Sequence, residues 1–227
     1  MIASYDWAGG REAMLRFGPA EGPVVVAALP LFEEANRTRA FVVAILRALA
    51  GRGIAGALPD LPGTGESLIE TRDMTLPALR EAFAAAVTRV RDERRAPWVI
   101  AVRSGALVET LADAAGRWHL APQTGEELLR ELTRIRQAAA REAGVTAPDD
   151  AFVGIAGNLV SRTLLDDLAS AHPQPGARAV RLDGDPREAD LRLLGSPLWR
   201  RAEPGTDPEL AERLADDIAS WIRRCGG

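Results

Sequence analysis

Apolar residues along the chain fall into short unbroken runs and longer stretches with helical spacing. The runs are Pro23 to Leu29, Gly53 to Leu58, Trp98 to Val102, Trp118 to Ala121 and Ala177 to Leu182. None alternates apolar with polar positions, which is the pattern of strands covered on both faces. Glu12 to Phe17 reads as an antiparallel edge strand, and Phe152 to Ala156 gives a weaker strand signal. Amphipathic segments lie between them. Val42, Ile45, Leu46 and Leu49 share one face within Arg39–Arg52, and Leu76, Leu79, Phe83, Val87 and Val90 form a stripe within Leu76–Arg95. Thr75 is placed to cap the second helix. Arg89, Arg91, Arg94 and Arg95 crowd its far end, where the helix dipole favours positive charge. Thr124-Gly125-Glu126-Glu127 has the form of a capping box, opening a helix through Arg141. Asp207-Pro208 supplies a cap and an N1 proline to a last helix with Leu210, Leu214, Ile218 and Trp221 on its apolar face.

Strands alternating with helices predict an α/β architecture, a mostly parallel sheet flanked by helices on both faces. No internal repeat is evident. The nearest thing to a linker, Gly144–Asp150, reads as the close of a helix. The expected organisation is therefore one domain over 1–227, with 116–150 a candidate small cap or insertion.

Composition narrows the function classes. A chain of 227 residues with 47% hydrophobic content can bury one sizeable core. A net charge of -4 argues against a general nucleic-acid binder. All 28 basic residues are arginine, so no Schiff base, phosphate-loop lysine or lysine general base is available. Cys225 is the only cysteine, which rules out an intrachain disulfide and a cysteine-cluster metal site. Asp6 and Gly9-Gly10 interrupt the apolar run a signal peptide needs, and no stretch approaches the roughly 18 apolar residues of a membrane span. A cytoplasmic protein with a small-molecule ligand or substrate, and no cofactor, is expected.

In open parallel sheets, ligands bind outside the carboxyl ends of the strands. Three such ends stand out. Pro30 to Arg39 carries Phe32, the adjacent carboxylates Glu33 and Glu34, then Asn36 and Arg37. It reads equally as a polar site and as a solvated loop capped by Asn36. Pro59 to Ser67 follows the next strand, with Gly63 and Gly65 permitting a tight path and Asp60 and Ser67 able to bind its backbone. It fails as a dinucleotide fingerprint because Leu68 stands where a third glycine belongs.

The third end is Ile100 to Ala106, a strand entering a predicted helix Leu107–Ala115. It has the small-x-apex-x-small form of a nucleophile elbow, a strained turn whose flanking positions cannot hold bulky side chains. Ala101 and Gly105 are the small residues, so the apex is Arg103. Sliding the register to put Ser104 at the apex would place β-branched Val102 in the crowded position. The histidines agree with that reading. A triad histidine should follow the last strand, yet only His119 and His172 exist, and both precede or lie within earlier elements. Trp199 occupies the region where that histidine would belong. Asp183, Asp185 and Glu188 follow the strand that normally precedes the triad acid, but without a histidine they have nothing to orient.

These three loops together resemble the α/β-hydrolase superfamily. More narrowly, the chain resembles the type 2 group of exosortase A system-associated hydrolases. That likeness rests on Glu33-Glu34-x-Asn36-Arg37, the Asp60–Ser67 loop and Arg103-Ser104-Gly105-Ala106. It extends to Pro122-Gln123-Thr124-Gly125 leading into Leu132 to Arg136, and to Gly154 to Ser161. The resemblance implies the hydrolase fold, a bacterial source and a genomic setting beside exopolysaccharide and protein-sorting loci. Three functions follow. One is an atypical ester or thioester hydrolase, with Ser104 as nucleophile or a water activated by Glu33, Glu34 or Asp185. Another is a non-catalytic pseudo-enzyme whose Arg103 binds an anionic or acyl ligand, with Phe32, Glu34, Asn36 and Arg37 around it. The last is a partner subunit in envelope biosynthesis. A permanent ion pair between Arg103 and the Glu33-Glu34 segment competes with ligand binding at that guanidinium.

Overall fold

A computed structural model describes residues 1–93, 97–143, 151–155 and 158–226. Gly144–Asp150, Arg94, Arg95 and Ala156, to which the sequence assigned a helix end, dipole-facing charges and a strand end, lie outside the described residues.

Eight strands form one sheet: β1 (Ile2–Trp7), β2 (Gly10–Phe17), β3 (Val24–Ala28), β4 (Ala55–Pro59), β5 (Trp98–Val102), β6 (Arg117–Leu120), β9 (Arg178–Leu182) and β10 (Leu191–Leu193). Their spatial order is β1-β2-β4-β3-β5-β6-β9-β10. The first two pairings are antiparallel and all later ones parallel. The fold class is that expected from the alternation of strands and helices. A second, two-stranded antiparallel sheet pairs β7 (Phe152–Ile155) with β8 (Asn158–Ser161).

Strand residues bury both of their faces. Val24, Val26 and Ala28 of β3, with Val99 and Ala101 of β5, pack under α2 (Leu76–Glu93), α3 (Gly125–Ala143) and α4 (Arg162–Ala169). Val25 and Ala27, with Trp98, Ile100 and Val102, face α1 (Glu33–Gly51) and α5 (Pro208–Cys225). This double burial is why these runs show no polar alternation. Leu128, Leu132, Val160, Leu164 and Leu168 join the same apolar cluster as α2, so the α3–α4 segment packs against the sheet layer.

Predicted caps are present. Thr75 Oγ accepts from Ala78 N–H, Asp207 accepts from Leu210 N–H, and Thr124 and Glu127 exchange both bonds of a capping box.

Several expectations are corrected. Glu12–Phe17 is not the edge of the sheet, because β1 lies outside it; alternating strand Ile2–Trp7 carries only one buried residue, Tyr5, and gives little signal. Helix α1 begins at Glu33, six residues before its apolar stripe would suggest. Its first turns are polar and therefore invisible to a hydrophobic count. Glu33, Glu34, Asn36 and Arg37 are thus helical rather than loop residues, and Asn36 is not the cap. No α-helix follows the elbow over Leu107–Ala115. Two short 3-10 turns, Arg103–Leu107 and Glu109–Leu111, take its place. Glu109 is drawn fully inside to contact His119 and Arg117, which ends the turn early.

Candidate functional site

Strand order reverses around β3: α1 leaves it towards β4 on one face, and α2 brings the chain back to β5 on the other. A crevice opens at the carboxyl ends of the strands where such a reversal occurs. Around it stand the three described non-glycine residues with positive φ: Phe32 (60°) after β3, Arg103 (54°) after β5 and Ala121 (48°) after β6. A left-handed conformation costs an L-residue about 1–2 kcal/mol, and such strain concentrates at functional sites.

Arg103 occupies the apex of a fully formed elbow. A Cβ on Gly105 would sit 2.5 Å from the Ala28 carbonyl oxygen and 2.7 Å from that of Leu29, which is the steric demand inferred from the sequence. The Arg103 side chain is 3% exposed. Its Nε donates to Glu34 Oε2 at 3.2 Å, and one terminal nitrogen reaches Glu34 Oε1 at 3.2 Å. The same nitrogen meets Glu131 Oε1 at 2.9 Å and Oε2 at 2.7 Å. The Trp199 ring covers the guanidinium, its centroid 5.2 Å from Cζ, and the Trp199 carbonyl accepts from Arg37. Thus Arg103 and Trp199, which the sequence placed where a nucleophile and a triad histidine would be expected, touch each other. Burial pushes the Glu34 carboxyl up; the Arg103 charge and hydrogen bond pull it back only partly, and Glu131 adds to the rise.

The remaining sequence candidates fall in different places. Ser104 is completely buried, and its Oγ accepts from Leu31 N–H at 2.9 Å, tying the elbow to the end of β3. Glu33 is half-buried and Asn36 exposed on α1. Asp185 follows β9, where the triad acid was sought, but arginines enclose it: Arg181 at 2.8 Å and Arg187 at 2.6 Å, with Arg187 also bonded to Glu127. Burial alone would raise Asp185, yet the side-chain and backbone hydrogen bonds of Arg187, then Arg181, outweigh it and hold the carboxyl far below the usual range. His119 is buried, its Nε2 3.0 Å from Glu109 Oε1, and Arg117 takes the other Glu109 oxygen. His172 is exposed. Glu131 escaped sequence reasoning because helical spacing marks it only as a polar face of α3; nothing local points it at Arg103.

Two cavities open at the carboxyl ends of the strands, one of them lined by Arg103. One, of about 390 Å3, is lined by Arg103, Asp185, Arg187, Trp199 and Arg200 over the ends of β5, β6 and β9. The other, of about 230 Å3, lies between the start of α1 and the Asp60–Ser67 loop. That loop is built as its sequence suggested: Asp60 Oδ2 accepts from Glu66 N–H, and Ser67 Oγ from Gly63 N–H. Among the described residues no cluster of candidate metal ligands occurs, and no helix is long and apolar enough to cross a membrane.

No protein-family model matches the chain, and no curated protein matches it in sequence. Solved structures do match. Est1E from Butyrivibrio proteoclasticus, with ferulic acid bound, is 13% identical over 98% of each chain, with a TM-score of 0.60. A serine hydrolase without a lid from Xanthomonas campestris is 15% identical over 99% of this chain and 94% of its own, with a TM-score of 0.58. The bottromycin epimerase BotH, in complex with bottromycin A2, is 16% identical over 97% of this chain and 99% of its own, at 0.53. The chain has the α/β-hydrolase fold. Its neighbours include esterases and hydrolases, but an epimerase too, so the fold by itself does not fix the chemistry.

Proposed function

We propose that the chain is a non-hydrolytic binding protein for a small molecule, built on the α/β-hydrolase scaffold. One observation carries the reading: the apex side chain is a buried guanidinium held by Glu34, Glu131 and Trp199. A nucleophile must reach substrate from that apex. This residue is instead enclosed, and the adjacent Ser104 hydroxyl is committed to Leu31 N–H. Of the two occupants weighed for Arg103, a permanent ion pair fits its contacts better than a ligand anion, which would have to displace a glutamate. The cavities at this end of the sheet then become the ligand sites, one of them lined by Arg103 itself.

Incubation with short- and long-chain p-nitrophenyl esters tests the reading. No turnover above background is expected; turnover abolished by Ser104→Ala would overturn it. The atypical ester or thioester hydrolase is the second reading, favoured by the raised carboxyl of Glu34, which could accept a proton from water. It requires a rate lost in Glu34→Gln and retained in Ser104→Ala. Asp185, held ionised by two arginines, is less suited to that task. We further infer, from the sequence resemblance alone, the exosortase-associated genomic setting, a bacterial source and a cytoplasmic location. A partner subunit in envelope biosynthesis would share that setting, and would be recognised by a specific protein co-purifying from the native host.

A further inference from the structure

We propose that the 230 Å3 cavity between α1 and the Asp60–Ser67 loop binds a small monocarboxylate with a compact apolar body, anchored by Arg39. This rests on the binding-protein reading and names the ligand class.

The cavity is amphipathic. Leu29, Pro30, Leu31, Phe32, Leu61 and Met74 supply apolar walls. Its polar side chains are Asn36, Arg39, Thr64, Thr71 and Asn158, and the two threonines are spent on building the loop. Thr64 Oγ accepts from Leu61 N–H and donates to the Leu61 carbonyl, and Thr71 Oγ donates to the Gly63 carbonyl. Arg39 and Asn36, three residues apart on one face of α1, remain as donors beside the apolar walls. Arg39 is the single charged residue in the lining.

Asp60 faces that arginine as its ion-pair partner. Asp60 is 3% exposed, and its Oδ1 lies 2.7 Å from one terminal nitrogen of Arg39. Asp60 is itself fixed: its backbone carbonyl accepts from Tyr5 Oη at 2.6 Å, and Gly65 packs so close that a Cβ there would meet the Asp60 carboxyl at 2.4 Å. A guanidinium has five N–H donors, so the charge contact of one terminal nitrogen with Asp60 leaves others for a second carboxylate. The volume equals about eight waters at ~30 Å3 each, which suits an acid of six to eight carbons. The apolar walls disfavour sugars and phosphoesters, whose further polar groups would find few partners beyond Asn36, Asn158 and the loop hydroxyls.

Calorimetric titration of the full chain with hexanoate and benzoate, against hexanamide and benzamide, tests this. The acids are expected to bind about tenfold or more tighter than the amides, because a hydrogen bond to a charged partner outweighs a neutral one. Arg39→Gln should erase that preference, and Arg39→Lys should restore part of it. Ala35→Trp, which fills the cavity, should abolish binding of both kinds. Native protein that binds no acid, amides that bind as tightly as acids, or binding undiminished in Ala35→Trp would each overturn the proposal. Those failures are separable from failure of the binding-protein reading, which would show as ester turnover whether or not carboxylates bind.

Discussion

Replacing Arg103 by methionine keeps side-chain length and removes the charge that two carboxylates share. Glu34 and Glu131 would then face each other without a cation, at side-chain exposures of 16% and 33%. Breaking a buried ion pair by removing one partner costs about 3–5 kcal/mol. Glu131 can turn towards water, so a loss of about 3 kcal/mol at pH 8 is expected, or about 6–12 °C in Tm for a chain of this size. The loss should depend on pH, with a sign set by Glu34. Its carboxyl is already raised in the folded protein, chiefly by burial, and removing the two lowering contributions of Arg103 raises it further. A raised carboxyl contributes stability that is full below its unfolded value and is lost as pH rises through the folded one. The gap between variant and native should therefore widen from pH 5 to pH 8. Urea denaturation at both values measures it, and Arg103→Met/Glu34→Gln should recover much of the loss at pH 8. A gap below about 0.5 kcal/mol, within the range of an ordinary surface substitution, or one that narrows with rising pH, would refute the description of the cluster.

Other consequences follow from single contacts. Gly105→Ala would press a Cβ against the Ala28 and Leu29 carbonyls, so a loss of about 3 kcal/mol or an insoluble protein is expected, read by denaturation or by soluble yield. Glu109→Ala would strand buried His119 and the guanidinium of Arg117 together, for about 3 kcal/mol in the same assay. Asp207→Ala removes the cap of α5 and should cost about 1 kcal/mol without altering ligand binding measured by calorimetry.

Much of the fold was legible because double burial and helix caps are local signals. Unbroken runs such as Val24–Ala28 and Trp98–Val102 can only be central strands, and Thr124 and Asp207 announce their helices by side chains that reach three residues on. The elbow was legible for a similar reason, since a small-x-apex-x-small turn is a steric rule written in adjacent residues. Elements that hold few buried residues, such as β1 and the polar start of α1, left no such trace. Two of the three partners of Arg103 could be inferred. Glu34 stood in a segment already assigned to the site, and Trp199 filled the histidine's region. Glu131 could not be inferred, because its approach depends on how α3 crosses the elbow, a tertiary fact with no counterpart in local spacing. The post-elbow helix was expected in error because Glu109 looks like an ordinary surface carboxylate until His119 and Arg117 are brought around it.

On the proposed reading the elbow is a lock and not a nucleophile. Treating the native chain with a fluorophosphonate probe, which esterifies an activated serine, and weighing the intact protein tests it most directly. An unchanged mass is expected, because Ser104 is buried and its hydroxyl accepts from Leu31 N–H. A stoichiometric adduct mapped to Ser104, and lost in Ser104→Ala, would contradict it.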